Sequence, residues 1–381
     1  MIRLIFTILL ALISLLAVFK AFEYHMWLLA IGVTEFPWLF AGITILLLLT
    51  GFWVGKYQLS GTVIGVVALV LFLSPIFRAW IISGNLNTEF DQAFAIKTTD
   101  GEHVPFNFFR MFQRKDKVDY KTLPYVHYSD TTLTLDYYPA TQTTTAVNKP
   151  CVIVVHGGSW AGGDSQQLPE LNSYLALRGY NVVSINYRMA PKWQTPAPVE
   201  DVADAIKHLK AHAAELHIDT NKFVLLGRSA GAQIALLAAY TLHDNSIKAV
   251  IDFYGPGDMV WGYSVPSNPL IMDSHKVMEQ YIGGIYKQVP QKYHDCSPLE
   301  FVDKTSPPTL IIHGNNDVLV SPEHSRRLNT KLQQYGIKHF YLKLPWATHG
   351  FDYNLNGPGG QLSTYAVVRF LNVVATTNSK K

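Results

Sequence analysis

Charged side chains are scarce in this sequence. Of its 381 residues, 15% are Asp, Glu, Lys or Arg, and the formal net charge is +3. Four of the 31 basic residues and two of the 28 acidic residues lie in residues 1–82, so the rest of the chain is almost neutral. A surface without excess positive charge lacks the attraction that binds phosphate backbones. The composition therefore argues against a nucleic acid as a partner.

Cysteine is also rare, with only Cys151 and Cys296 in the chain. Two cysteines this far apart make neither a disulfide framework nor a metal-binding pattern. One bridge between them is possible, but Cys151 opens an apolar run. Its position favours a small buried side chain over a disulfide partner.

Three long uncharged stretches lie near the N-terminus, at residues 4–19, 36–55 and 57–77. About 20 apolar residues cross a bilayer as a helix, and each stretch is near that length. Aromatic residues flank the stretches, as is common at membrane interfaces: Trp38, Trp53, Tyr57 and Trp80. We therefore expect residues 1–82 to form a membrane anchor of about three transmembrane helices.

Two alternatives to this anchor remain open. Arg3 before an apolar stretch also fits a signal peptide, although no small-x-small cleavage site follows it. A buried helical domain is the other alternative, but such long uncharged runs are rare in water-soluble folds. For orientation, Arg3 and Lys56 on one side balance Lys20 and Arg78 on the other. The basic N-terminus favours a multi-pass membrane protein whose larger C-terminal part is extracytoplasmic.

Residues 83–120 are expected to connect the anchor to the rest of the chain. The segment 106–112 is aromatic and basic, and the charged residues 114–117 follow it. Such a composition fits a segment at the membrane surface. It fits equally well a helix packed on the following domain.

Residues 121–381 have the pattern of an α/β domain. Residues 125–128 and 132–138 flank a short polar turn and predict a hairpin. Further strands are predicted at 151–155, 181–186, 222–226, 249–254, 309–313 and 339–343, and helices at 167–178, 198–216, 321–335 and 362–374. Short apolar strands that alternate with helices indicate a mostly parallel sheet covered on both faces. Residues 255–302, which include several aromatics, are expected to form a cap.

The pentapeptide Gly-Arg-Ser-Ala-Gly at 227–231 lies between an apolar strand and a helical run. A serine between two glycines at such a junction is typical of a nucleophile elbow. The glycines are needed because side chains there would collide with the neighbouring strand or helix. Ser229 is therefore the candidate nucleophile.

A serine hydroxyl needs a base, and the base needs an acid that orients it. Asp317 ends the polar loop after the strand 309–313, and His349 lies in a loop after the strand 339–343. These two residues follow Ser229 in the chain order Ser, Asp, His. His313 is the competing candidate for the base. Asp252 and Asp352 are the competing candidates for the acid.

The run His-Gly-Gly-Ser-Trp at 156–160 directly follows a predicted strand. Glycines allow the backbone to approach a substrate closely. The backbone N–H groups of Gly157, Gly158 and Ala230 are therefore the predicted donors of an oxyanion hole.

Together, the runs 156–160, 187–191 and 227–231, with Asp317 and His349, resemble the hormone-sensitive-lipase-like and feruloyl-esterase-like carboxylesterases. The resemblance covers roughly residues 121–375 and implies the α/β-hydrolase fold. It also implies an acyl-enzyme on Ser229, with no metal or organic cofactor. The expected substrate is a small-molecule, lipid or acylated-sugar ester.

The chain departs from this family pattern at three positions. Ser159 replaces the third glycine of the usual His-Gly-Gly-Gly run, a variant closer to the feruloyl-esterase-like and arylformamidase-like branches. Arg228 occupies a position where lipase-like members often carry an acid, and it could bind a substrate carboxylate or form a structural ion pair. Gln233 replaces a common glycine, which we interpret as helix packing.

Two alternative functions also remain. A peptidase or amidase would use the same triad. An inactive fold that serves as a membrane interaction module would need no triad at all.

Overall fold

The computed structural model describes residues 1–53, 57–96, 104–114, 116–141 and 150–376. Lys56, the end of the apolar stretch 36–55, and residues 97–103 and 115 of the predicted connector lie outside this part. The chain begins with four helices: α1 Ile2–Ser14, α2 Tyr24–Glu35, α3 Pro37–Leu49 and α4 Gln58–Phe94.

Within the described residues, eight strands form one sheet. They are β1 Lys121–His127, β2 Thr132–Tyr138, β3 Cys151–Val155, β4 Val182–Ile185, β5 Phe223–Arg228, β6 Ile247–Phe253, β7 Thr309–Gly314 and β8 His339–Leu344. Their order is β1-β2-β4-β3-β5-β6-β7-β8. The β1–β2 and β2–β4 pairs are antiparallel, and the remaining pairs are parallel. The predicted hairpin and the mostly parallel sheet are thus confirmed.

Helices cover both faces of the sheet. They are α5 Glu170–Ala176, α6 Ala197–Ala211, α7 Ala230–Thr241, α8 Met259–Ser264, α9 Ser274–Ile282, α10 Pro290–Asp295, α11 Glu323–Gln334 and α12 Pro358–Thr376. Alternate residues of β3 point to opposite cores: Ile153 packs with α6 and α7, whereas Val152 packs with α4, α5 and α12. Helices α8, α9 and α10 form a cap between β6 and β7. Cys151 and Cys296 are buried and unbridged, as expected.

Helix α4 continues beyond the expected end of the anchor at residue 82. Its C-terminal half packs in the same core as α12 and β8 through Leu86, Phe90 and Phe94. Asp91 forms an ion pair with Arg369 of α12. Residues 83–94 of the predicted connector are therefore a core helix of the α/β part.

The structure does not show the expected three spanning helices. Among the described residues, only Gln58–Phe94 is by itself long and apolar enough to cross a membrane. Helix α2 and the segment Pro37–Phe52 would count as a second span only together, and they are bent by 85° from each other. The first apolar stretch forms the shorter helix Ile2–Ala17, about 24 Å long at 1.5 Å per residue. The hydrocarbon core of a bilayer is about 30 Å thick.

Candidate active site

The serine turn is a tight junction between β5 and α7. Ser229 has φ 53° and ψ −122°, a backbone conformation that few side-chain-bearing residues adopt. A Cβ on Gly227 would lie 2.2 Å from the Gly231 carbonyl oxygen, and one on Gly231 would lie 2.2 Å from the carbonyl oxygen of Val155. The two glycines are therefore required by close backbone contacts, and the turn presents Ser229 at the end of the sheet.

The structure brings Ser229, His349 and Asp317 together. The Ser229 hydroxyl lies 2.9 Å from His349 Nε2, and His349 Nδ1 lies 2.7 Å from Asp317 Oδ2. Because a carboxylate only accepts hydrogen bonds, Nδ1 carries the proton and donates a hydrogen bond to Asp317. Nε2 is then left as the acceptor for the serine hydroxyl, which is the arrangement that general-base activation requires.

Asp317 is buried and surrounded by hydrogen-bond donors. Its Oδ1 accepts from the backbone N–H groups of Leu319 and Val320, each at 2.9 Å. Burial alone raises the pKa of Asp317. The neighbouring His349 and the hydrogen bonds from both imidazoles outweigh burial and hold that pKa well below its usual range. The carboxylate is therefore ionised and available to orient His349.

His313, the competing candidate for the base, lies on the other side of Asp317. Its Nε2 donates to Asp317 Oδ2 at 3.1 Å, and its Nδ1 accepts from the Ser325 hydroxyl at 2.7 Å. Both ring nitrogens are thus engaged away from Ser229. The sequence presented His313 only as a rival base, whereas its contacts are those of a second residue that holds Asp317.

The competing acids bond to other groups than His349. Asp352 accepts from Arg228 Nε at 2.5 Å and from the hydroxyl of Tyr254. The Tyr254 ring packs on the His349 imidazole, with centroids 4.4 Å apart. Arg228 is nearly inaccessible and forms a buried ion pair with Asp352, which is the structural alternative for this residue.

Asp252 is fully buried in β6. Its Oδ1 accepts from the Gly255 N–H at 2.7 Å, and Oδ2 has no hydrogen-bond partner within the described residues. Burial raises the pKa of Asp252 to about 7. Its carboxyl therefore belongs to the core of the sheet.

The predicted oxyanion donors differ in what their N–H groups contact. The Gly157 N–H donates to Gln167 Oε1 at 2.7 Å, and its carbonyl accepts from His156 Nδ1 at 2.7 Å. These two side chains hold the peptide groups on both sides of Gly157, so its N–H is already occupied in this structure and its role as an oxyanion donor stays a prediction. In the described part of the chain, the N–H groups of Gly158 and Ala230 have no acceptor. The same is true of Ser159, a candidate donor that the sequence did not suggest.

Stacked aromatic rings hold both ends of the loop 156–160 in place. His156 is buried against Tyr187, with ring centroids 4.3 Å apart, and burial lowers its pKa to about 4. Trp160 stacks on Tyr281 at 4.5 Å and donates to Gln233 Oε1 at 2.9 Å. Gln233 thus binds the loop as well as packing in its helix.

A cavity of about 350 Å³ opens beside Ser229. This volume lies at the lower end of the range for small-ligand sites. Its walls are mainly apolar and come mostly from the cap and the loop after Asp317: Met259, Val265, Pro266, Met272, Val277, Met278, Val318, Leu319 and Val320. Lys20 and Ala21, from the segment between α1 and α2, also line it. No group of His, Cys, Asp and Glu that could hold a metal occurs among the described residues.

Comparison with known families gives a match to BD-FAE over residues 135–332. The chain belongs to the BD-FAE family. The matched segment contains Ser229 and Asp317 and ends before His349. The structure shows that His349 lies between these two residues. The chain is also 32% identical over 242 residues to the esterase LipC and 30% identical over 247 residues to the probable carboxylic ester hydrolase LipM, both of Mycobacterium tuberculosis. These alignments cover 59% and 60% of this chain, and only 58% and 55% of those proteins.

Solved structures show the fold of this family member. EstE1, a carboxylesterase cloned from a metagenomic library, superposes with a TM-score of 0.59 at 18% identity, over 78% of this chain and 97% of its own. A truncated carbohydrate esterase from gut microbiota gives 0.56 at 23% identity, over 69% and 99%. The α/β part of the protein therefore has the α/β-hydrolase fold.

Proposed function

We propose that the protein is a membrane-anchored serine hydrolase that cleaves carboxylic esters. The observation that carries this proposal is the hydrogen-bonded chain from Ser229 through His349 to Asp317 at the mouth of an apolar cavity. The mycobacterial relatives named as esterases support the same reaction. A scaffold protein would have no use for this arrangement.

The geometry supports a two-step reaction. Ser229 Oγ attacks the ester carbonyl carbon while His349 Nε2 takes its proton. The free N–H groups of Gly158, Ser159 and Ala230 stabilise the oxyanion. Breakage of the bond between the acyl carbon and the alcohol oxygen then releases the alcohol, which takes the proton from His349. Water, deprotonated by His349, attacks the acyl-enzyme and releases the carboxylic acid.

A fluorophosphonate probe tests this proposal. We expect labelling of the wild type and none of Ser229→Ala, which should lose on the order of 10⁶-fold in kcat, as in another triad enzyme. Ile285→Ser, a cap variant away from the cavity, serves as the control and should label normally. Equal labelling of wild type and Ser229→Ala would contradict the proposal. Faster turnover of aminoacyl anilides than of nitrophenyl esters would instead identify an amidase.

The membrane part of the proposal rests on exposed apolar side chains. They lie along α1, α3 and the first half of α4: Ile5, Phe6, Leu9, Leu12, Leu39, Ile43, Leu46, Val63, Val66, Val70 and Phe77. Inside this bundle, Leu16, Ala41 and Phe72 are buried against one another. A water-soluble protein rarely exposes an apolar surface this extensive. We therefore infer that residues 1–82 anchor the enzyme in a bilayer.

Arg3 is buried at the end of the bundle that carries the N-terminus. It donates to the carbonyls of Leu47 and Gln58 and to the Thr62 hydroxyl, so it joins the ends of α1, α3 and α4. The active site lies beyond the other end of α1. We infer an extracytoplasmic catalytic part, with the N-terminus in the cytoplasm. Protease added to intact cells should cleave the catalytic part in this orientation and spare it in the opposite one.

A further inference from the structure

The segment between α1 and α2 joins the anchor to the active site. The carbonyl of Val18 accepts from Asn316 Nδ2 at 3.2 Å, next to the triad aspartate. The carbonyl of Phe22 accepts from Asn268 Nδ2 of the cap at 2.9 Å. This segment therefore bridges the triad loop and the cap.

Helix α2 continues this contact along the catalytic part. Trp27 Nε1 donates to the backbone carbonyl of His349 at 3.0 Å. At the end of α2, the buried Glu35 accepts from the Gly359 N–H at 3.0 Å, and its own carbonyl accepts from Asn354 at 2.8 Å. These bonds hold α2 against the loop that carries His349 and against the start of α12.

Three exposed apolar side chains form a rim next to residues that line the cavity. Phe19, Phe22 and Leu270 are 62%, 61% and 65% exposed. Lys20 and Ala21 lie between the two phenylalanines and line the cavity itself. The exposed apolar side chains of α1 are therefore followed along the chain by Phe19 and Phe22, which flank two residues of the cavity wall. A soluble substrate would gain nothing from such a rim, whereas the surface of a bilayer would cover it.

We propose that the substrate is an ester carried by a membrane lipid, whose acyl chain passes from the bilayer surface over Phe19, Phe22 and Leu270 into the cavity. This inference rests on the proposed ester hydrolysis. The lipid loses its acyl group to Ser229, and water then releases that group as a fatty acid. Lys20 places a cation at the level of the lipid head groups.

The test compares a lipid ester with a soluble ester for the same full-length preparations. Dioctanoylglycerol in phosphatidylcholine vesicles is the lipid substrate, and nitrophenyl acetate is the soluble one. Phe22→Ser and Leu270→Ser should each lower the ratio of lipid to soluble hydrolysis by about tenfold, because each removes one large apolar side chain from the path. Ile285→Ser changes an exposed aliphatic residue of the cap that does not line the cavity, and should leave the ratio unchanged.

The outcomes separate this inference from the function it rests on. An unchanged ratio in both rim variants overturns the inference, and so does a wild type that cleaves nitrophenyl acetate but not the lipid. An equal fall of the ratio in Ile285→Ser also overturns it, since the effect would then not belong to the rim. A wild type that cleaves neither ester and resists the fluorophosphonate probe overturns the proposed hydrolysis itself.

Discussion

Replacement of Asp317 by asparagine tests the triad most directly, because all the contacts of this carboxylate are donors. Oδ2 accepts from His349 and from His313, and Oδ1 accepts from two backbone N–H groups. Asparagine has one acceptor oxygen and an NH₂ group that only donates. One of the two pairs of donors must therefore face another donor in Asp317→Asn.

Either orientation of the amide has a defined cost. When the NH₂ group of the new asparagine faces the imidazoles, His349 must accept at Nδ1 and carry its proton on Nε2. It then cannot accept the proton of Ser229, and kcat should fall by about 10⁴-fold, as in another Ser-His-Asp enzyme. When the NH₂ group instead faces the backbone of residues 319 and 320, the N–H groups of Leu319 and Val320 lose a charged acceptor. Each such bond contributes about 1.5–3 kcal/mol.

The assay is kcat for nitrophenyl acetate, together with the rate of fluorophosphonate labelling. Asp252→Asn is the matched control, because this buried acid has only the Gly255 N–H as a partner within the described residues and lies away from His349. Its kcat should stay within about threefold of wild type, since no triad contact changes. A kcat for Asp317→Asn within tenfold of wild type would refute the reasoning, as would equal losses in both variants.

Two further predictions concern buried charges. Because burial raises the pKa of Asp252 to about 7, the folded protein keeps a proton between pH ~4 and ~7 that the unfolded chain has released. Stability contributed by this proton is lost as pH rises through that window. Asp252→Asn should therefore become more stable than wild type by on the order of 4 kcal/mol above pH 7, measured by denaturant unfolding; a difference independent of pH contradicts this. Arg228→Met leaves Asp352 buried without its cation and should cost about 3–5 kcal/mol, which Arg228→Met/Asp352→Asn largely recovers. A selective loss of activity on carboxylate-bearing esters would instead favour substrate binding by Arg228.

The sheet could be predicted from the sequence because its strands carry a local signal. The strand Cys151–Val155 matches the predicted span, since five consecutive apolar residues between Pro150 and His156 are typical of a strand buried on both faces of a sheet. The order of Ser229, Asp317 and His349 also follows from the loops after successive strands. The structure adds the distances that join these three side chains.

The directions of the N–H groups in the loop 156–160 could not be predicted from a local pattern. Two adjacent glycines indicate a close backbone approach, but not the direction in which each N–H points. That direction depends on Gln167, ten residues further along the chain, which takes the N–H of Gly157. A side chain that bonds to a distant backbone group leaves no periodic pattern in the sequence.

Helix α4 links the N-terminal helices to the catalytic part, which the sequence did not indicate. The last uncharged stretch ends at residue 77 because Arg78 follows it, and polar residues become frequent from Ser83 onward. Leu86, Phe90 and Phe94 recur every four residues, so one face of the same helix continues into the catalytic core. The ion pair from Asp91 to Arg369 lies on this helix as well. Because α4 is continuous and α2 bonds to the His349 loop, removal of residues 1–82 would expose a face of the catalytic core. The N-terminal segment therefore contributes to the active site, since Lys20 and Ala21 line the cavity and Trp27 bonds to the His349 backbone.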